Sequence, residues 1–414
     1  MKRSAKAIVT LATLMTFAEA GAYKIPEQSL SAVALSAAHI AHTTGADSAY
    51  YNPANMAFLD RDTSYLEGGV TTVYLPSVDF DGMQYLDGGL LPAKASSRKE
   101  WAAIPYGHFV NRAEGDWRWG VSITSPVGLS KRWNSSVQKA FAEEFTLASV
   151  EINPSLSYRL SDNLAVAAGL RFIYSEGEVR SDASELGLPF KRVMKGNVVT
   201  AAYNLALSYR PMPDLELAAT FRSKAELEEK GEANLYVGGA GRHFGASVTI
   251  PMPAALNIAV AKTFMDTLTV ELVYERTYWS SYKRLDFQYD SPIQNILVPL
   301  FDDPKDKYWK DSDTWRVGIS YNYSDRVTLM CGYSYDETPI PQKTLGYELP
   351  DSDAHIFSAG FRIRESDELS WGVGALYDYK KSRDVEMGEN INGIGGEFDK
   401  GGALLLTGGF EYRF

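Results

Sequence analysis

A single cysteine, Cys331, occurs in 414 residues, so no intrachain disulfide can staple this chain. Long apolar runs are missing too. Beyond Ala18 no stretch approaches the roughly eighteen unbroken apolar residues that a membrane helix needs. Basic residues are in deficit, 41 Lys and Arg against 52 Asp and Glu, and the net charge of -11 argues against a nucleic-acid partner. No Ser-, Pro- or Gly-rich linker or block of like charge divides the chain, which favours one structural unit. The five histidines lack zinc-protease spacing, there is no paired-cysteine motif, and no Gly-x-Ser-x-Gly elbow occurs. His39 and His42 sit three apart and could share a helix face as metal ligands, but two polar residues in such a segment need no metal. The sequence therefore reads as a non-enzyme without cofactor or metal.

The N-terminus fixes the compartment. Lys2, Arg3 and Lys6 are followed by a mostly apolar run, Ala7 to Ala18, and by the small-x-small site Ala18-Glu19-Ala20. This is the order of a cleaved secretory signal peptide over residues 1–20, and its apolar run is too short to span a bilayer.

From about Thr63 the chain alternates. In Val327–Asp336 one face carries Val327, Leu329, Cys331, Tyr333 and Tyr335, and the other Thr328, Met330, Gly332, Ser334 and Asp336. Leu369–Tyr379 and Val199–Arg210 repeat the pattern. Successive strand side chains point to opposite faces, so these are strands with one apolar face and one small or polar face. The connections alternate in length. Tight turns lie at 161–163, 211–214, 265–267, 324–326 and 365–368, and long polar stretches near 176–197, 224–246, 277–313, 337–353 and 380–402. Short turns at one rim and long loops at the other is the arrangement of an outer-membrane β-barrel. The 25 Tyr, 8 Trp and 18 Phe suit aromatic girdles at both membrane interfaces.

Fourteen strands are expected near 63–75, 100–110, 117–125, 148–159, 164–175, 198–210, 215–223, 247–262, 268–276, 314–323, 326–336, 354–364, 369–379 and 403–414. The last ends on Phe414, a terminal aromatic that resembles the signal read by the barrel-assembly machinery.

Several segments resemble one family, the FadL-type outer-membrane transporters of long-chain fatty acids and other hydrophobic compounds. Asn52-Pro53-Ala54 in ADSAYYNPANMAFL resembles the Asn-Pro-Ala segment of that family's N-terminal plug. WRWGVSITSPVGLS (117–130) is similar to its third strand, and INPSLSYRLSDNLAVAAGLRFIY, which follows Glu151, to its fourth and fifth. Residues 315–341 with 349–360, including YDETPIP, resemble strands ten to twelve. The resemblance implies a barrel, 61–414, plugged by 21–60. It also implies ligand capture among extracellular loops and release past the plug, through a gap in the wall at a kink in the third strand. The Ala- and Ser-rich composition of 21–60, without alternation, suits a compact segment inside a polar lumen.

Gly120 is the expected kink, since Gly weakens strands and marks bends. Pro105 on the neighbouring strand removes a ladder hydrogen bond there. Apolar residues in the long loops, Leu186, Leu188 and Phe190, then Ile296, Leu297, Val298 and Phe301, mark candidate ligand contacts. Basic residues beside them, Lys191, Arg192 and Lys195, then Lys305, Lys307 and Lys310, could hold a carboxylate, with Lys310 the choice in the second set. Any of them could instead meet lipopolysaccharide phosphates or water. Fatty acids and aromatic or alkane hydrocarbons both remain open as ligands. So do two other readings: a non-transporting surface barrel, adhesin or structural, and an open diffusion porin.

Overall fold

A computed structural model describes residues 22–86, 88–293 and 298–414. The predicted signal peptide lies outside them. Fourteen antiparallel strands close a barrel, as the alternation predicts. They are β1 Tyr65–Leu75, β2 Glu100–Val110, β3 Trp117–Thr124 continued by Gly128–Arg132, β4 Glu144–Ser161, β5 Leu164–Asp182, β6 Phe190–Met212 and β7 Leu215–Arg222 continued by Ala225–Val237. There follow β8 Ala240–Met252 continued by Ala255–Phe264, β9 Leu268–Thr277, β10 Ser312–Asn322, β11 Val327–Asp336, β12 Ala354–Arg364, β13 Leu369–Lys380 and β14 Gly402–Arg413. Closure comes from β1, which pairs with β2 on one side and β14 on the other, Thr71 opposite Ile104 and Thr407. Among the described residues the strand edges are paired round the ring apart from one stretch between β2 and β3, and in the membrane an unmet polar group costs several kcal/mol.

The two faces have the expected chemistry. Leu205, Ile258, Leu272, Trp315, Val373 and Phe410 are exposed on the outer face, while Asn153, Asn204, Ser208, Ser334 and Thr407 are buried on the inner one. Cys331 is exposed on the outer face. Phe414 follows β14, its backbone paired with Ser64.

Strands β4 to β8 run much further than the alternation indicates. Residues 176–197 and 224–246, read above as polar loops, are mostly strand, turned only around 183–189 and at Gly238-Gly239. Beyond the membrane both faces can be polar, so the apolar stripe that marks a strand vanishes while the ladder continues. Cross-strand ion pairs take over part of the pairing, such as Lys195 with Glu178 (2.9 Å) and Lys191 with Asp182 (3.2 Å). At the same end, the β1–β2 and β13–β14 connections join in a five-stranded sheet built on Asp79–Leu86 and Ile394–Asp399. It packs Phe80 on Phe398 and Tyr347, with ring centroids 4.5 and 5.3 Å apart.

Residues 22–59 are almost wholly buried. Their partners lie on strands all round the ring, which places the segment within the barrel. The backbone N–H groups of Ile40, Ala41 and His42 donate to the Glu271 carboxylate of β9 (2.6, 2.6 and 3.1 Å). Ala46 N–H donates to Glu411 of β14, and Ser36 meets Ser358 of β12. The segment holds helix α1, Leu30–Ala34, capped by Ser29, whose hydroxyl accepts from Ala32 N–H (3.1 Å). The Ser29 hydroxyl also donates to Asp47 (2.8 Å), which in turn meets His39 (2.9 Å). Burial alone would raise the Asp47 carboxyl, but His39, by charge and hydrogen bond, holds it below the ordinary carboxylate range. His42 bonds Glu216 instead (2.8 Å), so the two histidines face different partners.

Candidate functional site

Two apolar spaces lie at the long-loop end. The outer one, about 1260 Å³ counted to its mouth, is lined by Leu86, Phe141, Leu188, Phe190, Arg192, Phe301 and Tyr347 among others. The inner one, about 880 Å³ on the same measure, lies toward the lumen between Tyr23, Leu129, Met194, Val248, Ile250, Trp309 and Leu349. Phe145, Leu285, Phe287, Lys307, Gly346 and Glu348 line both and so form the partition. No water-soluble core requires such a space. A concave apolar pocket with few polar groups is the usual form of a small-molecule site.

The structure sorts the loop residues singled out above. Leu188, Phe190, Arg192 and Phe301 line the outer space. Leu186 and Val298 pack behind it against the apolar cluster of the loops. Lys191 points away, paired with Asp182. Ile296 and Leu297 lie outside the described residues. Lys310 is exposed, with only its backbone N–H engaged, on Pro339. Lys195 lines the inner space and Lys305 the outer one, while Lys307 lines both and is the buried one of the three, ion-paired with Glu348. Lys307 and Trp309 are buried there, while Tyr308 and Lys310 are exposed. Phe145, at the start of β4, and Leu285, Phe287 and Glu348, from two different connections, gave no local signal at all.

Arg192 is the distinctive charge. Its guanidinium lies over the Phe287 ring at 4.8 Å, and among the described residues it makes no ion pair or hydrogen bond. Burial in the apolar lining lowers its pKa, while Tyr289 and Glu348 act the other way. A cation so placed gains most from an anion brought to it in a dry site.

Below the inner space stands the start of the N-terminal segment. Tyr23 packs on Trp279 (4.7 Å) and Trp309 (5.6 Å) and donates its hydroxyl to the Pro251 carbonyl (2.6 Å). The residues that follow hold the wall. In β3 the strand breaks at Ser125–Val127, and the backbone groups freed there pair inward. Ile25 N–H donates to Pro126 O (2.9 Å) and Gly128 N–H to Tyr23 O (3.0 Å), while the Gln28 amide clasps both backbone groups of Ser125 (2.8 and 2.9 Å).

Gly120, the expected kink, is regularly paired on both sides, with Val110 and Ser155. The break lies five residues beyond it. What demands glycine at 120 is close approach, since a Cβ would sit 2.7 Å from Met56 Sδ and 2.8 Å from the Phe109 carbonyl.

The break leaves a gap. Strands β2 and β3 pair only from Gly107↔Ile123 to Val110↔Gly120. Contact resumes beyond, where Arg98 N–H donates to Arg132 O (2.8 Å) and the Ser130 hydroxyl to Glu100 (2.6 Å). Between these points no ladder bond joins the two strands among the described residues. Asn111 N–H points to Trp119 on β3, so by the two-residue period Pro105 presents its nitrogen to the same side. The missing donor of Pro105 faces the gap. On the lumen side the gap is backed by Ala102 and Ile104, clustered with Ile25 and Val33 of the N-terminal segment.

The Asn52-Pro53-Ala54 turn lies further along. Asn52 Oδ1 accepts from Ala54 N–H (3.2 Å), and its Nδ2 donates to Ile40 O and to Ser208 of β6 (both 2.8 Å). Pro53 opens a 3-10 helix, Pro53–Phe58, at a position where its absent N–H costs nothing. Ala54 packs on Ala165, Ala167 and Ala206 of the wall.

Residues 11–414 match the family described as outer membrane protein transport protein (OMPP1/FadL/TodX). The long-chain fatty acid transport protein of Escherichia coli O6:H1 is 24% identical over 403 residues, covering 88% of this chain and 87% of its own. The crystal structure of a Pseudomonas aeruginosa FadL homologue superposes with a TM-score of 0.81 at 18% identity, covering 94% and 99% of the two chains. That of the Pseudomonas putida toluene transporter TodX gives 0.72 at 15% identity, with 93% and 98% covered.

Proposed function

The chain belongs to the outer membrane protein transport protein family (OMPP1/FadL/TodX), and from this premise we propose that it carries hydrophobic monocarboxylates, long-chain fatty acids foremost, passively across the outer membrane. The ligand enters the outer space among the loops and passes the partition to the inner space. From there it slips past the N-terminal segment, which plugs the lumen, and leaves sideways between β2 and β3.

The observation that carries the route is the gap itself. A closed barrel has every reason to complete its ladder, yet this one omits the bonds between β2 and β3, where the lumen face is apolar. The N-terminal segment fixes the broken part of β3 through Tyr23, Ile25 and Gln28, so moving that segment and opening the wall are one event. The Asn52-Pro53-Ala54 turn anchors the segment's far end to β6 and so limits how much of it moves. Arg192 and Lys307 favour a carboxylate over an uncharged hydrocarbon, since each places a cation beside the apolar side chains of the lining.

The test is uptake of a radiolabelled long-chain carboxylate by cells that lack a hydrophobic-uptake channel of their own, with and without this chain. Uptake should be at least severalfold faster with it. Equal rates at equal barrel levels would sink the proposal, and faster uptake of toluene alone would reassign the ligand to hydrocarbons.

A further inference from the structure

The Lys307–Glu348 ion pair stands where a travelling carboxylate would have to pass. Among the six residues that line both spaces it supplies the only charges. Lys307 is held from behind, its N–H donating to Lys283 O (2.8 Å) and its carbonyl accepting from the Thr344 hydroxyl (2.5 Å). Glu348 reaches it from a different connection, the one between β11 and β12, by curling over Gly346. A Cβ at position 346 would lie 2.1 Å from Glu348 Oε2, so the bare glycine is what lets the carboxylate fold back onto the lysine. Arg192 stands near, beside Phe287 of the partition, with no anion of its own among the described residues. Two cations and one carboxylate thus meet at the passage, and one more carboxylate would balance them.

We propose that Glu348 is a built-in stand-in for the ligand's head group, a latch that occupies Lys307 across the partition until an incoming carboxylate displaces it. This rests on the functional reading above and adds to it a selection step. An anionic ligand can take over Lys307, with Arg192 at hand to receive it or to receive the released Glu348. An uncharged ligand of the same length cannot, because breaking the pair would leave buried Lys307 without an anion even where Glu348 turns to Arg192. The partition then opens to carboxylates and resists alcohols and alkanes.

The prediction has an unusual sign. A carboxylate that merely braces the site would help binding, whereas a competitor hinders it. Trp309 lines the inner space and reports arrival there. The purified full chain is titrated with a long-chain carboxylate carrying bromine near its chain end, and with the alcohol of the same chain, and quenching of tryptophan emission is read. Glu348→Gln should raise the ratio of carboxylate to alcohol affinity about tenfold or more, the change expected when one charge-assisted hydrogen bond no longer has to be broken. Lys307→Gln should lower the ratio by a similar factor. Gly346→Ala provides the second variant, since its methyl group pushes the flexible end of Glu348 off the lysine while keeping every charge, and it should raise the ratio too. If the ratio is unchanged or lower in both Glu348→Gln and Gly346→Ala while both ligands bind, the latch is wrong and the transport reading stands. If neither ligand quenches in any variant, the transport reading fails and the latch fails with it.

Discussion

Glu151 shows how single residues hold this barrel's interior. Fully buried on β4, it takes two hydrogen bonds from Arg171 (3.0 and 2.9 Å) and an ion pair from Arg222, whose guanidinium also lies over the Tyr50 ring at 4.4 Å. One carboxylate thus partners two buried cations and fixes the N-terminal segment through Arg222 and Tyr50. Glu151→Ala should cost about 3–5 kcal/mol, the range for stranding buried charge, read as a lower urea midpoint of the barrel in lipid vesicles. A loss below about 1 kcal/mol would mean that water reaches these guanidinium groups. At this scale the sequence was only partly legible. Arg192 and Lys307 could be chosen as basic residues beside apolar ones, but Lys310 was favoured because nothing local reveals which of several loop lysines turns inward. Glu348, an ordinary loop acid by sequence, acquires its place only when the β11–β12 connection folds against the β9–β10 connection.

Among the elements, the N-terminal segment is the one that the proposed route requires to move. Glu27, next to the Gln28 that clasps β3, has both carboxylate oxygens buried without a hydrogen-bond partner among the described residues. Burial raises its pKa to about 7, against the pull of Arg316 and Lys24 and with Asp336 adding to the rise. An acid whose folded-state pKa is raised stabilises the folded arrangement below its ordinary value near 4.5, and that contribution is lost as pH climbs through about 7. The segment should therefore sit more loosely at pH ~8 than at pH ~5. Leak conductance of the barrel in planar bilayers should rise across that interval, and Glu27→Gln should hold it at the low-pH level. A leak with the same pH dependence in both proteins would assign the titration elsewhere. The strands were more legible than this segment wherever one face meets lipid, because the period of two is then written in apolar residues. In 176–197 and 224–246 the same ladders run through water, both faces turn polar, and the sequence reads as loop.

For the whole molecule, strand number and closure could be read from tight turns alternating with long connections, and the outer space from apolar residues where loops should be polar. The break in β3 was harder to place. Gly120 looked like its cause, yet the strand breaks around Pro126, which has no N–H for a ladder, where Ser125, Pro126 and Val127 stand opposite only two residues on β4, between the pairs Thr124↔Glu151 and Gly128↔Ala148. That surplus residue lets β3 turn inward toward Tyr23–Gln28 and away from β2, and the proposed lateral exit depends on it. Deleting Pro126 equalises the two stretches and lets β3 run on beside β2. The most direct test is uptake of a radiolabelled long-chain carboxylate by cells carrying this deletion, with hydrogen exchange used to verify protection of the restored β2–β3 ladder. Exit through the wall predicts uptake near the level of cells without the protein, from a barrel present in normal amount. Uptake at the undeleted rate through a wall shown to be closed would contradict it.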